Sequence, residues 1–156
     1  LIHDFDLLHW LTGRRIVKST GFMGKHMLPE YPDFYDVVSL QVLLQNQVVA
    51  QLYADWHIPE KSWTWGEGRI FVTGTSGFAE LRLSGDPLVG EEAMLLLTTH
   101  SEGTMQMKLE EPRTTITDDF LLRIAGMESV VTHDDILLAS QATIEAQEQV
   151  EFVHAF

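Results

Sequence analysis

The sequence predicts an α+β fold: an open, predominantly antiparallel sheet with helices packed on one face and the other face free for oligomer contacts. Three observations predict it. Segments with helical periodicity stand near the two ends of the chain. The middle is built from short period-two runs broken by Gly, Pro and Asn. No βαβ alternation connects them. At 156 residues, one domain spanning 1–156 is the expected organisation, long enough to bury roughly two thirds of its unfolded surface.

The elements follow in order. Residues 2–12, IHDFDLLHWLT, place Ile2, Phe5, Leu8 and Leu11 near helical spacing, with Gly13 as the terminating residue. Arg14 to Gly24 has strand character through Ile16, Val17, Thr20 and Phe22. Residues 25–35 hold two prolines and read as a loop. Asp36–Gln45 and Gln47–His57 form a hairpin that turns at Asn46. Val38, Leu40, Val42 and Leu44 share one face of its first strand, and Val48, Ala50, Leu52, Ala54 and Trp56 one face of its second. The opposite face mixes Ser39, Gln41, Leu43 and Gln45 with Val49, Gln51, Tyr53, Asp55 and His57. That mixture is too apolar for an indifferent surface and too polar for a core, which is the composition of a protein–protein contact.

Residues 58–68 form a loop with Pro59, Trp63, Trp65 and two glycines. Ile70–Thr73 and Phe78–Leu83 are strands joined by Gly74-Thr75-Ser76-Gly77, and Met94–Thr99 pairs with Met105–Leu109. Thr117, with two aspartates after it, starts a helix over 118–125 that exits at Gly126. Thr132 and Asp135 form a capping-box start for a helix over about 133–149, whose inner positions read Ile136, Ala139, Thr143, Ala146 and Val150. Residues 151–155 suit a last short strand.

Composition excludes several classes of function. There is no cysteine, hence no disulfide scaffold, no thiolate metal site and no thiol nucleophile; a reducing, cytoplasmic setting is the expectation. The formal charge is −13, which argues against nucleic acid or an anionic membrane as a partner. The charge is uneven: residues 1–85 carry a net −2 and residues 86–156 a net −11. No apolar run is long enough to span a bilayer. The opening Leu1-Ile2-His3 lacks an initiator Met and a basic leader, as expected of a processed chain or of the back half of a longer one.

No GxGxxG, GK[ST] or GxSxG motif occurs, and the GTSG turn joins two strands without opening a helix. The conspicuous group is His3, Asp6 and Trp10, at i, i+3 and i+7 on one helix face. A carboxylate one turn from an imidazole can set its tautomer, and the pair can move a proton to or from a substrate hydroxyl. The same spacing also suits a histidine satisfied by its helix neighbour. His3, Asp6 and His9 resemble a metal-ligand row, but six residues turn a helix by about 240°, so the two histidines diverge and no metal is expected. Asp55, His57, Trp63 and Trp65 gather at the end of the hairpin. They can form a sugar-binding wall or a packed loop.

These segments resemble a family. IHDFDLLHWLTG resembles the IHxxDLxRWLxG helix of the glucose–fructose oxidoreductase / inositol dehydrogenase / MocA family of NAD(P)-dependent oxidoreductases. ADWHIPEKSWTWGEGRIFVTGTSGFAEL is similar to its stretch from ADYxxP to GTxGxxE. DDFLLRIAGMESVVTHDDILLASQATIEAQEQVEFV is similar to its closing FLxxIxG…T…D…A…A pattern. The matches run in order from residue 1 to about 153. The departures are His9, where the family often has Arg, and Trp65-Gly66-Glu67-Gly68 in place of GDD.

The resemblance implies a two-domain parent whose Rossmann half is absent from this chain. This half would hold a sugar, inositol or similar polyol substrate and assemble as a homo-oligomer through its sheet. His3 matches the active-site histidine that exchanges the hydroxyl proton. Asp6 and Trp10 on the same face, with His57, Trp63 and Trp65, are the expected substrate-binding residues. A catalytic aspartate would fall before Leu1, and a lysine in the missing half. NAD or NADP would serve the parent, and the fragment by itself is expected to be inactive and to bind neither. A non-catalytic binding or assembly module of the same fold is the alternative, and an unrelated α+β sugar-binding domain the more distant one.

Overall fold

A computed structural model describes residues 1–154. It has three helices and eight strands: α1 Ile2–Thr12, β1 Ile16–Lys25, β2 Val37–Leu44, β3 Val49–Asp55, β4 Arg69–Gly74, β5 Gly77–Arg82, β6 Met94–Thr99, β7 Met105–Met107, α2 Ile116–Ile124, α3 His133–Gln149 and β8 Glu151–His154. The fold is α+β as expected. The strands divide between two four-stranded sheets rather than one, ordered β3-β2-β1-β8 and β4-β5-β6-β7. They belong to two compact units: Leu1–His57 together with Thr114 onward, and Ile58–Arg113.

In the first unit, β1, β2 and β3 form an antiparallel meander, and β8 adds to β1 in parallel. Val38, Leu40, Val42 and Leu44 point to the helices, as the alternation requires. Phe5 of α1, 1% exposed, joins Leu40, Val42, Leu44, Ala142, Ala146 and Val150 in the core. Gly13 ends α1 in the left-handed region and donates its N–H to the His9 carbonyl. Buried Ala139, Ala142 and Ala146 give α3 a narrow stripe that lets it lie close to the sheet. Ile136, expected inside, is exposed. Between β1 and β2 a side chain at Gly21 would stand 2.1 Å from the Ser39 carbonyl oxygen, so only glycine fits this crossing.

The opposite face of this sheet is uncovered among the described residues. Its rows read Lys18–Leu43–Val49, Thr20–Gln41–Gln51 and Phe22–Ser39–Tyr53. Phe22, Leu43, Val49 and Tyr53 are all exposed. The hairpin turn is longer than a reversal at Asn46 alone: β2 stops at Leu44 and β3 starts at Val49, with Asn46 and Gln47 both left-handed between them. Trp56, expected on the apolar face, is exposed; the strand ends at Asp55, and the alternation ends with it.

The second unit is an antiparallel meander. Ile70, Leu81, Leu95 and Met107 align across it, as do Phe71, Glu80, Leu96 and Gln106. β7 stops at Met107, two residues earlier than its composition predicts. Arg82 binds both Glu80 and Asp86 and ties β5 to the turn that follows.

Helix α2 begins earlier than expected. Its cap is Thr115, whose hydroxyl accepts from the Asp118 N–H, so Thr117 lies inside the helix. Asp119 is buried and accepts from the N–H groups of Val130 and Val131 instead of facing water at the helix start. The capping box of α3 forms as read, with Thr132 and Asp135 exchanging bonds. Residue 155, the end of the expected last strand, lies outside the described residues. No described helix is long and apolar enough to cross a membrane.

One end of the first sheet is held by two buried ions. The Lys25 ammonium donates to the carbonyls of Leu28 (2.9 Å), Tyr31 (2.7 Å) and Phe34 (2.8 Å). The Asp36 carboxylate, 1% exposed, accepts from the N–H groups of His26 (3.0 Å) and Met27 (2.6 Å) and from the His57 ring (3.0 Å). Burial pushes the Asp36 carboxyl up, but those three donors outweigh burial and leave it below its ordinary value of 3.8. Asp135 is also lowered, by the Thr132 hydroxyl first and then the Thr132 N–H.

Two outcomes follow. Lys25→Met orphans three carbonyls and should lower the urea-unfolding free energy by roughly 2–4 kcal/mol, with the slope against urea unchanged. A carboxylate whose folded value is depressed stabilises the fold above its unfolded value and loses that contribution as pH falls through the folded one. Urea midpoints measured from neutral pH downward should therefore hold until about pH 4 and then fall. Asp36→Asn should be weaker at neutral pH and fall less on acidification, the remainder of the fall belonging to Asp135. A fall of unchanged size in Asp36→Asn would refute the assignment.

Candidate functional site

His3, Asp6 and Trp10 lie on one face of α1, as their spacing requires. His3 is exposed, Asp6 half-buried, and Trp10 71% exposed. Among the described residues no hydrogen bond links His3 to Asp6, so the carboxylate does not hold the ring here. His9 points elsewhere. Its Nδ1 lies 3.2 Å from the Arg14 carbonyl and its Nε2 3.8 Å from Asp135, which ties α1 to α3. No group of three or more His, Asp or Glu among the described residues is arranged to hold a metal ion.

The first turn of α1 lies over the clamped end of the sheet. Leu1 and Phe5 share a cavity of about 130 Å³ with Met23 and Val38 below, and with Thr143 and Ala146 of the antiparallel α3 and Val150 just past its end beside them. Met23 and Val38 are two residues inboard of Lys25 and Asp36. His3 and His57 thus belong to the same end of the first unit, although no contact joins them among the described residues.

His57 is the best-positioned of the expected site residues. Its N–H donates to Asp55 Oδ1 at 2.7 Å, and its ring Nε2 meets Asp36 Oδ1 at 3.0 Å. The side chain stays 32% exposed. The His26 ring stands edge-on to it, centroids 6.0 Å apart, and Phe34 stands edge-on to Trp56 at 5.6 Å. A hydrogen bond to Asp55 pushes the exposed Tyr53 phenol up. Chemically, this end offers an exposed imidazole on α1 and a second imidazole anchored to a buried carboxylate, with the His26 ring edge-on to the second. That combination suits a neutral, hydroxyl-rich ligand.

Trp63 and Trp65 lie in the second unit and are described within it. Trp63 is half-buried and Trp65 is 87% exposed. Their loop is tied down by Ser84, which bonds Thr64 at 3.3 Å and the Gly66 carbonyl at 3.2 Å. Asp36, His26 and Lys25 were not candidates on sequence. Asp36 reads as an ordinary first strand residue, and only the lone charges at the two ends of a proline-containing loop hint at a clamp.

Comparison with known proteins finds a family match and several folds of the same kind. The model of the GFO/IDH/MocA C-terminal domain matches residues 1–80. A protein from Thermotoga maritima, provisionally described as an oxidoreductase, superimposes with a TM-score of 0.82 at 25% identity over 95% of this chain and 42% of its own. The UDP-N-acetylglucosamine 3-dehydrogenase of Acidithiobacillus ferrooxidans gives 0.69 at 18% identity, over 96% of this chain and 46% of its own. A 3-ketoreductase from Actinomadura kijaniata, solved with NADP and TDP-benzene, gives 0.69 at 11% identity, over 98% and 45%. This chain therefore spans less than half the length of each of these structures, and no curated protein matches it. The family model covers just over half of the sequence, including α1 with His3 and the whole β1–β3 meander, and on that match the chain belongs to the GFO/IDH/MocA family as its C-terminal domain.

Proposed function

We propose that this chain is the substrate-binding half of an oxidoreductase acting on a hydroxyl-bearing or keto carbon of a sugar or similar polyol, with NAD or NADP as the parent's cofactor. The observation that carries the reading is His3, exposed on α1 in the family's helix motif, beside an end of the sheet equipped for hydroxyl groups. The sugar-nucleotide dehydrogenase and the ketoreductase with this fold support the substrate class. The ketoreductase solved with NADP supports the cofactor.

The described residues do not fit a dinucleotide. The residues that cap the helices are Leu1, Thr115 and Thr132, and no glycine-rich loop leads from a strand into any of these helix starts, so none offers a cradle for a pyrophosphate. Redox chemistry thus belongs to a nucleotide-binding half, and this chain handles the substrate and its proton. His3 takes the proton of the reacting hydroxyl, or returns it in the reverse direction. Asp6 and Trp10 line the same helix face and hold the substrate against it. His57 supplies a further substrate contact within the first unit, and Trp63 and Trp65 are the substrate-binding residues of the second unit taken by itself. Placement of the reacting carbon provides most of the rate advantage.

The uncovered face of the first sheet serves assembly. Phe22, Leu43, Val49 and Tyr53 form an apolar strip interleaved with Gln41, Gln51 and Ser39. Pairing two copies through it removes that strip from water at roughly 25 cal/mol per Å². The glutamines can bond across a two-fold contact.

Two measurements test these readings. In the two-domain protein that contains this chain, His3→Ala should lower kcat about 10²–10⁴-fold while cofactor affinity stays nearly constant. Turnover within a few-fold of wild type would make the chain a binding module. Light scattering should report more than one copy per particle, and Leu43→Lys should shift it toward the monomer without unfolding. A monomeric wild type at tens of micromolar would rule out the assembly face.

A further inference from the structure

We propose that Asp36 is a positioning residue that sets His57 as a hydroxyl acceptor for a neutral polyol, forming with His26 a ligand subsite separate from His3. The proposal rests on the polyol reading above but involves no proton exchange at His3.

The argument starts from the carboxylate. Asp36 is buried and accepts from two backbone N–H groups, at 3.0 and 2.6 Å, as well as from the His57 ring. The two backbone N–H groups can only donate, both carboxylate oxygens accept from them, and the carboxyl lies below its ordinary value, so Asp36 is an anion at neutral pH. Its bond to His57 therefore requires hydrogen on Nε2. In the neutral ring that leaves Nδ1 as a lone-pair acceptor. A third of the His57 side chain is exposed, so the ring is accessible while its orientation is fixed from behind.

The neighbouring geometry is built around that ring. His26 gives one N–H to Asp36 through its backbone and sets its ring edge-on to His57, centroids 6.0 Å apart. That position needs a bare neighbour. A methyl group at Gly24 would stand 2.9 Å from Nε2 of His26 and 2.8 Å from Val37. Gly24 is not left-handed, so its lack of a side chain serves space rather than backbone conformation. Lys25, next to His26 in the chain, has its ammonium fully engaged by three carbonyls. Asp55 accepts the His57 N–H. Asp36 thus takes its hydrogens from this loop and this histidine, and Asp55 from the His57 N–H and the Tyr53 phenol, so the ligand is left with the imidazoles. A lone-pair acceptor held by an anion favours a hydroxyl donor and disfavours an anionic ligand. The class of ligand is therefore a neutral sugar or polyol.

The test uses the ¹⁵N-labelled chain with D-glucose as the probe and sulfate as the anionic control. Long-range ¹H–¹⁵N spectra should show His57 as the Nε2–H tautomer at neutral pH. Glucose at tens of millimolar should shift its Nδ1 resonance saturably, and sulfate should not. His57→Phe should abolish the saturable response while keeping the far-ultraviolet circular dichroism of the parent. Asp36→Asn should mix the tautomers and weaken the glucose response several-fold. Where that variant does not fold, the tautomer and the His57→Phe result decide. The response should survive His3→Ala. An Nδ1–H tautomer, a silent His57, a stronger response to sulfate, or a folded Asp36→Asn with an unchanged response would each overturn the proposal. A glucose response confined to His3 would overturn this subsite and leave the oxidoreductase reading standing. A His57 response in this chain, with His3→Ala turning over normally in the two-domain protein, would do the reverse.

Discussion

The end of the first sheet depends on two charges taken out of water. A buried ammonium or carboxylate is costly unless hydrogen bonds replace its hydration. Lys25 and Asp36 meet that condition with backbone groups of one short loop. Lys25 closes the β1 side by collecting three carbonyls, and Asp36 closes the β2 side by collecting two N–H groups. Five backbone groups of the loop are committed to these two ions, and those bonds set its course. Leu28 adopts a left-handed conformation that costs on the order of 1 kcal/mol, and its carbonyl is one of those that Lys25 engages. Other features rest on this arrangement. His57 is anchored to Asp36, Phe34 meets Trp56, and Tyr35 packs on Phe152 of β8.

Above this end, the helices and sheet are joined by ordinary packing. Phe5 fills the space that the alanine stripe of α3 leaves against Leu40, Val42 and Leu44. His9 and Asp135 join the two helices at their other ends. The family's helix motif thus combines two roles on one helix. Phe5 seats α1 on the core, and the opposite face presents His3, Asp6 and Trp10.

Much of this fold is legible in the sequence because its signals are local. Period-two alternation placed Leu40, Val42 and Leu44 inside, and Leu43, Val49 and Tyr53 outside. Gly13 marked the end of α1, and Thr132 with Asp135 marked the start of α3 to the residue. The failures have physical reasons as well. Thr115 and Thr117 both precede aspartates, and the choice between them is settled by which hydroxyl reaches an N–H three residues on. Two sheets rather than one cannot be read from strand lengths, because edge pairing is a long-range property. His3 was a candidate from its helical spacing with Asp6 and Trp10, and motif resemblance gave it a role. Asp36 was not legible as a site residue at all, since its partners come from 10 and 21 residues away. The parallel pairing of β8 with β1 likewise joins residues more than a hundred positions apart.

The clamp has a consequence for motion. A loop with two prolines between two strands is the kind of segment expected to swing as a lid. Here its carbonyls and amides are bound to ions that sit inside the sheet, so it has no low-energy route to open by itself. Freeing one carbonyl strands part of the Lys25 charge, and freeing His26 or Met27 strands part of the Asp36 charge. Opening is therefore tied to the cooperative unfolding of the β1–β2 edge rather than to a hinge. The histidine end of this unit works as a rigid wall, and any closure over a bound molecule must be made by chain from elsewhere.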